Sequence, residues 1–166
     1  MVKILGIDPG SQVTGFGILE VENNNRKVLT HGIIQLKKET EKFNERIFLL
    51  SQSLDILFLK YQPHMVSIEK IFLGKNPDSA FKLGHARGVC IQKAMEYKTE
   101  IFEYSTREVK KGITGSGGND KYQVNEVLKH LLGIKNIDYL DASDALALAF
   151  HHSTRMEINR KWQELV

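Results

Sequence analysis

Disulfide chemistry is closed to this chain, because its 166 residues include one cysteine, Cys90. That residue sits in Gly88-Val89-Cys90-Ile91, which reads as an apolar helical face where a free thiol acts as a small hydrophobe. Prolines number three, Pro9, Pro63 and Pro77, each placed where an element is expected to begin or end, so no proline-rich linker divides the chain. Long apolar runs are missing as well. The longest candidates lie within Ile47 to Leu59, and charge interrupts them before membrane-spanning length. The N-terminus runs from Met1-Val2-Lys3 into an apolar stretch ending at Asp8, without a basic region, a leader-length apolar core or a small-residue cleavage site. The expected address is a reducing cytosol. No Cys/His cluster is present, which argues against zinc, and no Walker A pattern, Rossmann glycine fingerprint or Gly-x-Ser-x-Gly elbow occurs. His151 and His152 are adjacent, point apart on a helix and read as helix-end residues. An excess of charge of one sign is also lacking: the net charge is +3, compatible with nucleic acid but carrying little weight until the distribution of charge is known.

What remains is an ordinary globular composition, 42% hydrophobic and 26% charged, in a length that suits one domain over residues 1–166. The first third reads as strands: Val2 to Ile7, Val13 to Val21 and Lys27 to Leu36, the last two joined by a Glu22-Asn23-Asn24-Asn25 turn whose asparagines tolerate positive φ. The period then changes. Phe43, Ile47, Leu50, Leu54 and Leu57 share one helical face within Thr40 to Lys60. A strand at Met65 to Glu69 follows. The next helix runs from about Asp78, taken as its N-cap, to Tyr97, with Leu83, Ala86, Cys90, Ala94 and Tyr97 on one stripe. Gly84 and Gly88 form a small-residue strip on it, open to either an intrachain or an intermolecular contact. Glu100 to Tyr104 is a fifth strand, Thr106 to Lys111 a helical turn and Gly112 to Asp120 a glycine-rich loop. Helices from Lys121 to Leu132 and from Asp141 to His151-His152 end the pattern. Such an order predicts an α/β fold: a mixed five-stranded sheet with helices on its faces.

Four acids fall at expected element ends: Asp8 after the first strand, Glu69 after the fourth, and Asp141 and Asp144 at the start of the last helix. The last two are three residues apart and share a helical face. Each has an ordinary reading. Asp8-Pro9-Gly10 is a turn signal, Glu69 a solvated strand end, Asp141 an N-cap and Asp144 a first-turn acid favoured by the helix dipole. If the first and fourth strands are neighbours, all four acids can meet at one edge of the sheet, and none of these readings explains why apolar segments so repeatedly deliver an acid there. Carboxylates crowded together raise one another's pKa unless a cation sits among them. Magnesium, an oxygen-loving ion content with carboxylates, water and phosphate, suits the set, and two such ions can drive phosphodiester cleavage.

The same residues carry a family resemblance. Ile7-Asp8-Pro9-Gly10-Ser11-Gln12-Val13-Thr14-Gly15-Phe16-Gly17 resembles the opening of the RuvC Holliday-junction resolvases. Ile68-Glu69-Lys70-Ile71-Phe72-Leu73-Gly74-Lys75-Asn76 resembles their second acidic segment, and Leu83-Gly84-His85-Ala86-Arg87-Gly88-Val89 the helix after it. Asp141-Ala142-Ser143-Asp144-Ala145-Leu146-Ala147 resembles their C-terminal acidic pair. The segments occur in order and span nearly the whole chain. The resemblance implies an RNase H-like fold and a homodimer that cleaves two opposed strands of a four-way DNA junction, with a branch-migration helicase complex as partner and no membrane. It implies that Asp8, Glu69, Asp141 and Asp144 are catalytic acids holding two Mg2+ ions, with Mn2+ as a possible substitute. It places Phe72 at unstacked bases and Lys110 and Lys121 near the scissile phosphate.

Beyond that motif set, Arg107, Lys110, Lys111 and Lys121 bracket the glycine-rich loop, where ammonium groups beside flexible glycine suit phosphates. Lys75 and Arg87 join them as expected DNA contacts, and Phe72, in a loop-like stretch, as a stacking platform. Two rival readings stand beside the nuclease: half of an actin-like ATPase, with Asp8-Pro9-Gly10 in a phosphate-binding hairpin, and a non-catalytic junction-binding module.

Overall fold

The computed structural model describes residues 1–23, 25–70 and 76–163. Three strands open the chain: β1 (Val2–Asp8), β2 (Thr14–Glu22) and β3 (Asn25–Ile34). They form an antiparallel meander in which Ile7 stands opposite Phe16 and Gly17 opposite His31. Asn23 adopts a left-handed φ of 48° at the β2–β3 turn, as the asparagine-rich sequence there predicts. β4 (Met65–Glu69) and β5 (Glu100–Tyr104) complete a five-stranded mixed sheet of order β3-β2-β1-β4-β5. β4 runs parallel to β1, with Ile7 beside Ile68, and β5 runs parallel to β4. Parallel neighbours require crossover connections. The short α1 (Leu36–Glu39) and the long α2 (Phe43–Tyr61) lead from β3 to β4, and α3 (Pro77–Glu96) lies between β4 and β5.

Alternation along the strands sends side chains to two faces. Leu5, Ile7, Ile18, Val66 and Ile68 pack under α2 and α3 with Leu50, Leu54, Phe58, Ala86, Cys90 and Ala94. Burial pushes the Cys90 thiol up to about 12, so it behaves as the small hydrophobe expected of it. On the other face, Ile4, Leu19 and Tyr104 pack under α4 (Thr106–Thr114), α5 (Lys121–Leu132) and α6 (Leu140–Gln163). Helices therefore cover both faces, as the sequence predicts. Two glycines decide how closely α6 approaches. A Cβ on Gly6 would stand 1.9 Å from the Ala145 carbonyl oxygen, and one on Gly15 would stand 2.0 Å from that of Asp141. With any larger side chain, backbone would meet backbone and the start of α6 would have to lift off β1 and β2.

Several boundaries differ from the sequence expectations. Leu36 begins α1 instead of ending β3, and it is buried. The N-cap of α3 is Asn76, whose side chain accepts from the Ser79 amide at 3.4 Å with Pro77 in the first turn, so Asp78 lies inside the helix. Asp141 likewise follows the first residue of α6 and does not cap it. Helix α4 continues through Gly112 to Thr114 and ends on Gly115 at φ 77°, so the glycine-rich loop is shorter than expected. Position 112 holds glycine within the helix because the His151 ring takes the space of a side chain: an added Cβ would lie 2.2 Å from Nδ1 of that ring. His151 and His152 are not helix-end residues. They lie inside the 24-residue α6 and are buried, with His152 stacked on Phe102 at 3.9 Å and hydrogen-bonded to the Tyr104 hydroxyl at 2.7 Å. No helix among the described residues is long and apolar enough to cross a membrane.

Candidate active site at the ends of β1, β4 and α6

The pleat settles which way the strand-end acids point. Gly6 faces α6, so Asp8, two residues on, faces the same side. The Ser67 hydroxyl donates to the Leu148 carbonyl of α6 at 2.9 Å, so Glu69 also faces α6. The parallel β1–β4 pairing brings their C-terminal ends together, and the close approach of α6 at Gly6 and Gly15 lowers Asp141 and Asp144 toward them. One small cleft is lined by Asp8, Glu69, Thr106, Lys110 and Asp144, floored by Val109, Val124, Ala147 and Leu148. Asp141 sits at its margin, near enough for its charge to act on Asp8, Asp144 and Lys121.

Negative charge is poorly compensated here. Burial, then the charges of Glu69, Asp144 and Asp141, raise Asp8 to a pKa of about 8 against a partial offset from Lys121. Asp144 is also raised, first by burial and then by Glu69 and Asp141, even though it accepts a hydrogen bond from the Lys121 ammonium. Burial works against the charged form of Lys121, but its bond to Asp144 and the acids around it outweigh that and hold its pKa above the usual lysine value. Both values are raised, which favours the charged form of Lys121 and disfavours that of Asp144, because the ammonium faces several carboxylates while Asp144 is buried beside Glu69 and Asp141.

The donor set is all oxygen, which suits a hard divalent cation and not zinc. Among the described residues no three such groups close around a single point. The Thr106 hydroxyl donates to one oxygen of Glu69, and the Lys121 ammonium donates to one oxygen of Asp144. Burial first, and then the neighbouring acids, hold the Asp8 carboxyl high, and an all-oxygen donor set of this kind fits a divalent cation.

The basic residues divide. Lys110 lines the cleft and its ammonium donates to the Asn119 carbonyl at 2.9 Å, while Lys121 reaches Asp144. Arg107 and Lys111 line a separate open hollow with Ser105, Glu108 and the loop residues Gly115 to Gly117. Arg87 is largely covered: Nε donates to the Glu69 carbonyl at 3.1 Å and Nη2 to Glu103 at 2.6 Å. Phe72 and Lys75 lie outside the described residues. Sequence reasoning missed Thr106, whose contact with Glu69 spans 37 positions along the chain and leaves no mark in local spacing.

Comparison with known proteins points to one family. Residues 4–152 match the family model of the crossover junction endodeoxyribonuclease RuvC. The RuvC of Bdellovibrio bacteriovorus is 47% identical over 163 residues, covering 98% of this chain and 96% of that protein. The RuvC of Legionella pneumophila is 40% identical over 153 residues, 92% and 87% of the two chains. Among solved structures, RuvC of Thermus thermophilus superposes with a TM-score of 0.85 at 25% identity, covering 95% of this chain and 97% of that one. A second Thermus thermophilus RuvC structure, in complex with Holliday junction substrate, shares the fold with a TM-score of 0.82 at 24% identity over 93% and 96% of the chains. With its acids gathered where two parallel strands end and a helix begins, the chain belongs to the RuvC family of crossover junction endodeoxyribonucleases.

Proposed function

We propose that this protein, as one nuclease unit over residues 1–166, resolves four-way DNA junctions by hydrolysing phosphodiester bonds on two opposed strands, in the cytosol, during recombination and repair. The observation that carries this reading is the shared cleft of Asp8, Glu69 and Asp144 with Lys110, and Asp141 at its margin. Asp8, Glu69, Asp141 and Asp144 would hold the metal, two Mg2+ ions per site with Mn2+ able to replace them. When bound, these ions supply an activated water and neutralise the leaving oxygen. The rest falls to the chain itself. Asp8, half-buried at the end of β1, would serve as a ligand in its carboxylate form. Lys121 and Lys110 set fixed positive charge beside the scissile phosphate, where negative charge grows in the transition state. Phe72, Lys75, Arg107 and Lys111 would contact the junction around the site.

A four-way junction has near two-fold symmetry, and a C2 homodimer presents two such clefts to it. A branch-migration helicase complex is the partner that the family resemblance supplies. The actin-like reading is not favoured, because residues 4–152 match the RuvC family model and a RuvC relative is 47% identical over 98% of the chain. The non-catalytic reading has to keep four acids beside phosphates that they repel.

The test is a synthetic four-way junction with and without Mg2+. Wild type is expected to cut it only with metal. Asp8→Asn, which removes a ligand charge at nearly constant volume, is expected to bind the junction as wild type does and to lose cutting by several orders of magnitude. Cutting by Asp8→Asn at the wild-type rate overturns the site assignment, and failure of wild type to cut any junction overturns the function.

A further inference from the structure

Glu69 stands at the end of β4, a strand of only five residues, and it carries the longest side chain of the four acids. A carboxylate on so long a lever would lose more rotational freedom on meeting a cation than an aspartate would. Two residues outside the acid set hold it from both ends. Beneath it, Arg87 on α3 donates from Nε to the Glu69 carbonyl oxygen and is itself braced by Glu103 on β5. Beyond that, the Lys70 amide donates to the Tyr104 carbonyl at 2.8 Å, tying the chain after Glu69 to the end of β5. Above, the Thr106 hydroxyl donates to Glu69 Oε1. Thr106 is the first residue of α4, and that helix start is fixed by the Ser105 side chain, which accepts from the Glu108 amide at 3.3 Å. Thr106 itself lines the cleft.

We propose that Thr106 is a positioning residue for Glu69: its hydroxyl occupies one carboxylate oxygen and leaves the other facing the cleft, pre-set for a divalent cation. The assignment rests on the metal-dependent nuclease reading given above. Carboxylate ligands are commonly oriented by an outer hydrogen bond of this kind, and loss of such a partner typically lowers metal affinity or activity about 10–100-fold. Thr106 is exposed at a helix start, so replacing its hydroxyl with a methyl group disturbs no packing.

The test compares Thr106→Val, which keeps the shape and removes the donor, with Thr106→Ser, which keeps the donor. Mn2+ binding to the DNA-free protein is followed by the paramagnetic resonance signal of free Mn2+, with thermal melts to verify folding. The expected result is Mn2+ affinity about 10-fold or more weaker in Thr106→Val and close to wild type in Thr106→Ser. Single-turnover cutting of a four-way junction at limiting Mg2+ should follow the same order and recover at high Mg2+. Junction affinity without metal should not change. The proposal is overturned if Thr106→Val binds Mn2+ as wild type does, or if Thr106→Ser is as impaired as Thr106→Val. Thr106→Ala provides a second donor-free variant should Thr106→Val melt early. Wild type that binds Mn2+ and cuts no junction would instead remove the nuclease reading, and the Mn2+ comparison would still decide the role of Thr106.

Discussion

Asp8 is where the site works against the stability of the fold. Its carboxyl is raised from 3.8 to about 8, first by burial and then by Glu69 and Asp144. A group with a raised folded pKa holds its proton in the folded chain over an interval in which the unfolded chain has released it. The folded state then binds more protons, and stability falls as pH rises from about 4 to about 8. Asp8→Asn removes this titration. In EDTA, wild type and Asp8→Asn should melt together near pH 4, and the variant should melt higher at pH 8.5. Since about 1 kcal/mol moves the midpoint by about 2–4 °C in a chain of this size, a gap of about 4 °C or more is expected. Calorimetry across that range checks it, and equal midpoints at pH 8.5 would show that Asp8 ionises without opposition. Adding Mg2+ should narrow the gap. The acids were legible in the sequence because Asp8 and Glu69 end apolar strands and Asp141 and Asp144 open an apolar helix, which are local patterns. Thr106 against Glu69 and the anchoring role of Arg87 were not, because those contacts join positions 37 and 18 residues apart, and only the folded sheet brings them together.

Element boundaries were legible where local chemistry sets them and illegible where tertiary contact overrides it. The α5 start is local: Asp120 and Gln123 form a reciprocal capping box. The end of α4 is not, since a glycine at position 112 signals a loop while the packed His151 ring selects a helical glycine. The helical geometry of α4 at Lys110 and Lys111 matters for function, because it fixes which lysine meets the cleft. Adjacent residues on a helix are turned about 100° apart. Lys110 accordingly lines the cleft, while Lys111 lines the hollow with Arg107 and Glu108. Single-turnover cutting at saturating enzyme should therefore fall about 10-fold or more in Lys110→Ala and Lys121→Ala, the loss expected when charge beside the transition state is removed. Lys111→Ala should cut at the wild-type rate once bound and lose affinity modestly, with a salt slope lower by about 0.9 if it contacts one phosphate. Equal rates for all three variants would make the α4 and α5 lysines a solvated face.

At the scale of the whole molecule, the mixed sheet was legible from alternating strands and helices, and its RNase H-like order from the family resemblance. Assembly was not, because a surface strip looks the same in sequence whether a neighbour covers it or water does. The α3 strip at Gly84 and Gly88 has no atom within 4 Å of an added Cβ, and Phe81 beside it is 70% exposed. Among the described residues nothing lies within that reach, and the homodimer proposed above is the contact to test. Sedimentation should show a dimer without DNA. The order of mixing then separates paired subunits from independent ones. If wild type and excess Asp8→Asn are equilibrated long enough to exchange subunits, mixed dimers form, each with one working cleft, and the junction should accumulate single nicks in place of paired cuts. If the two proteins meet only when the junction is added, intact dimers compete, and paired cuts should fall in yield without a rise in nicks. Monomers that dock independently would give the same products in either order, and that outcome would end the dimer proposal.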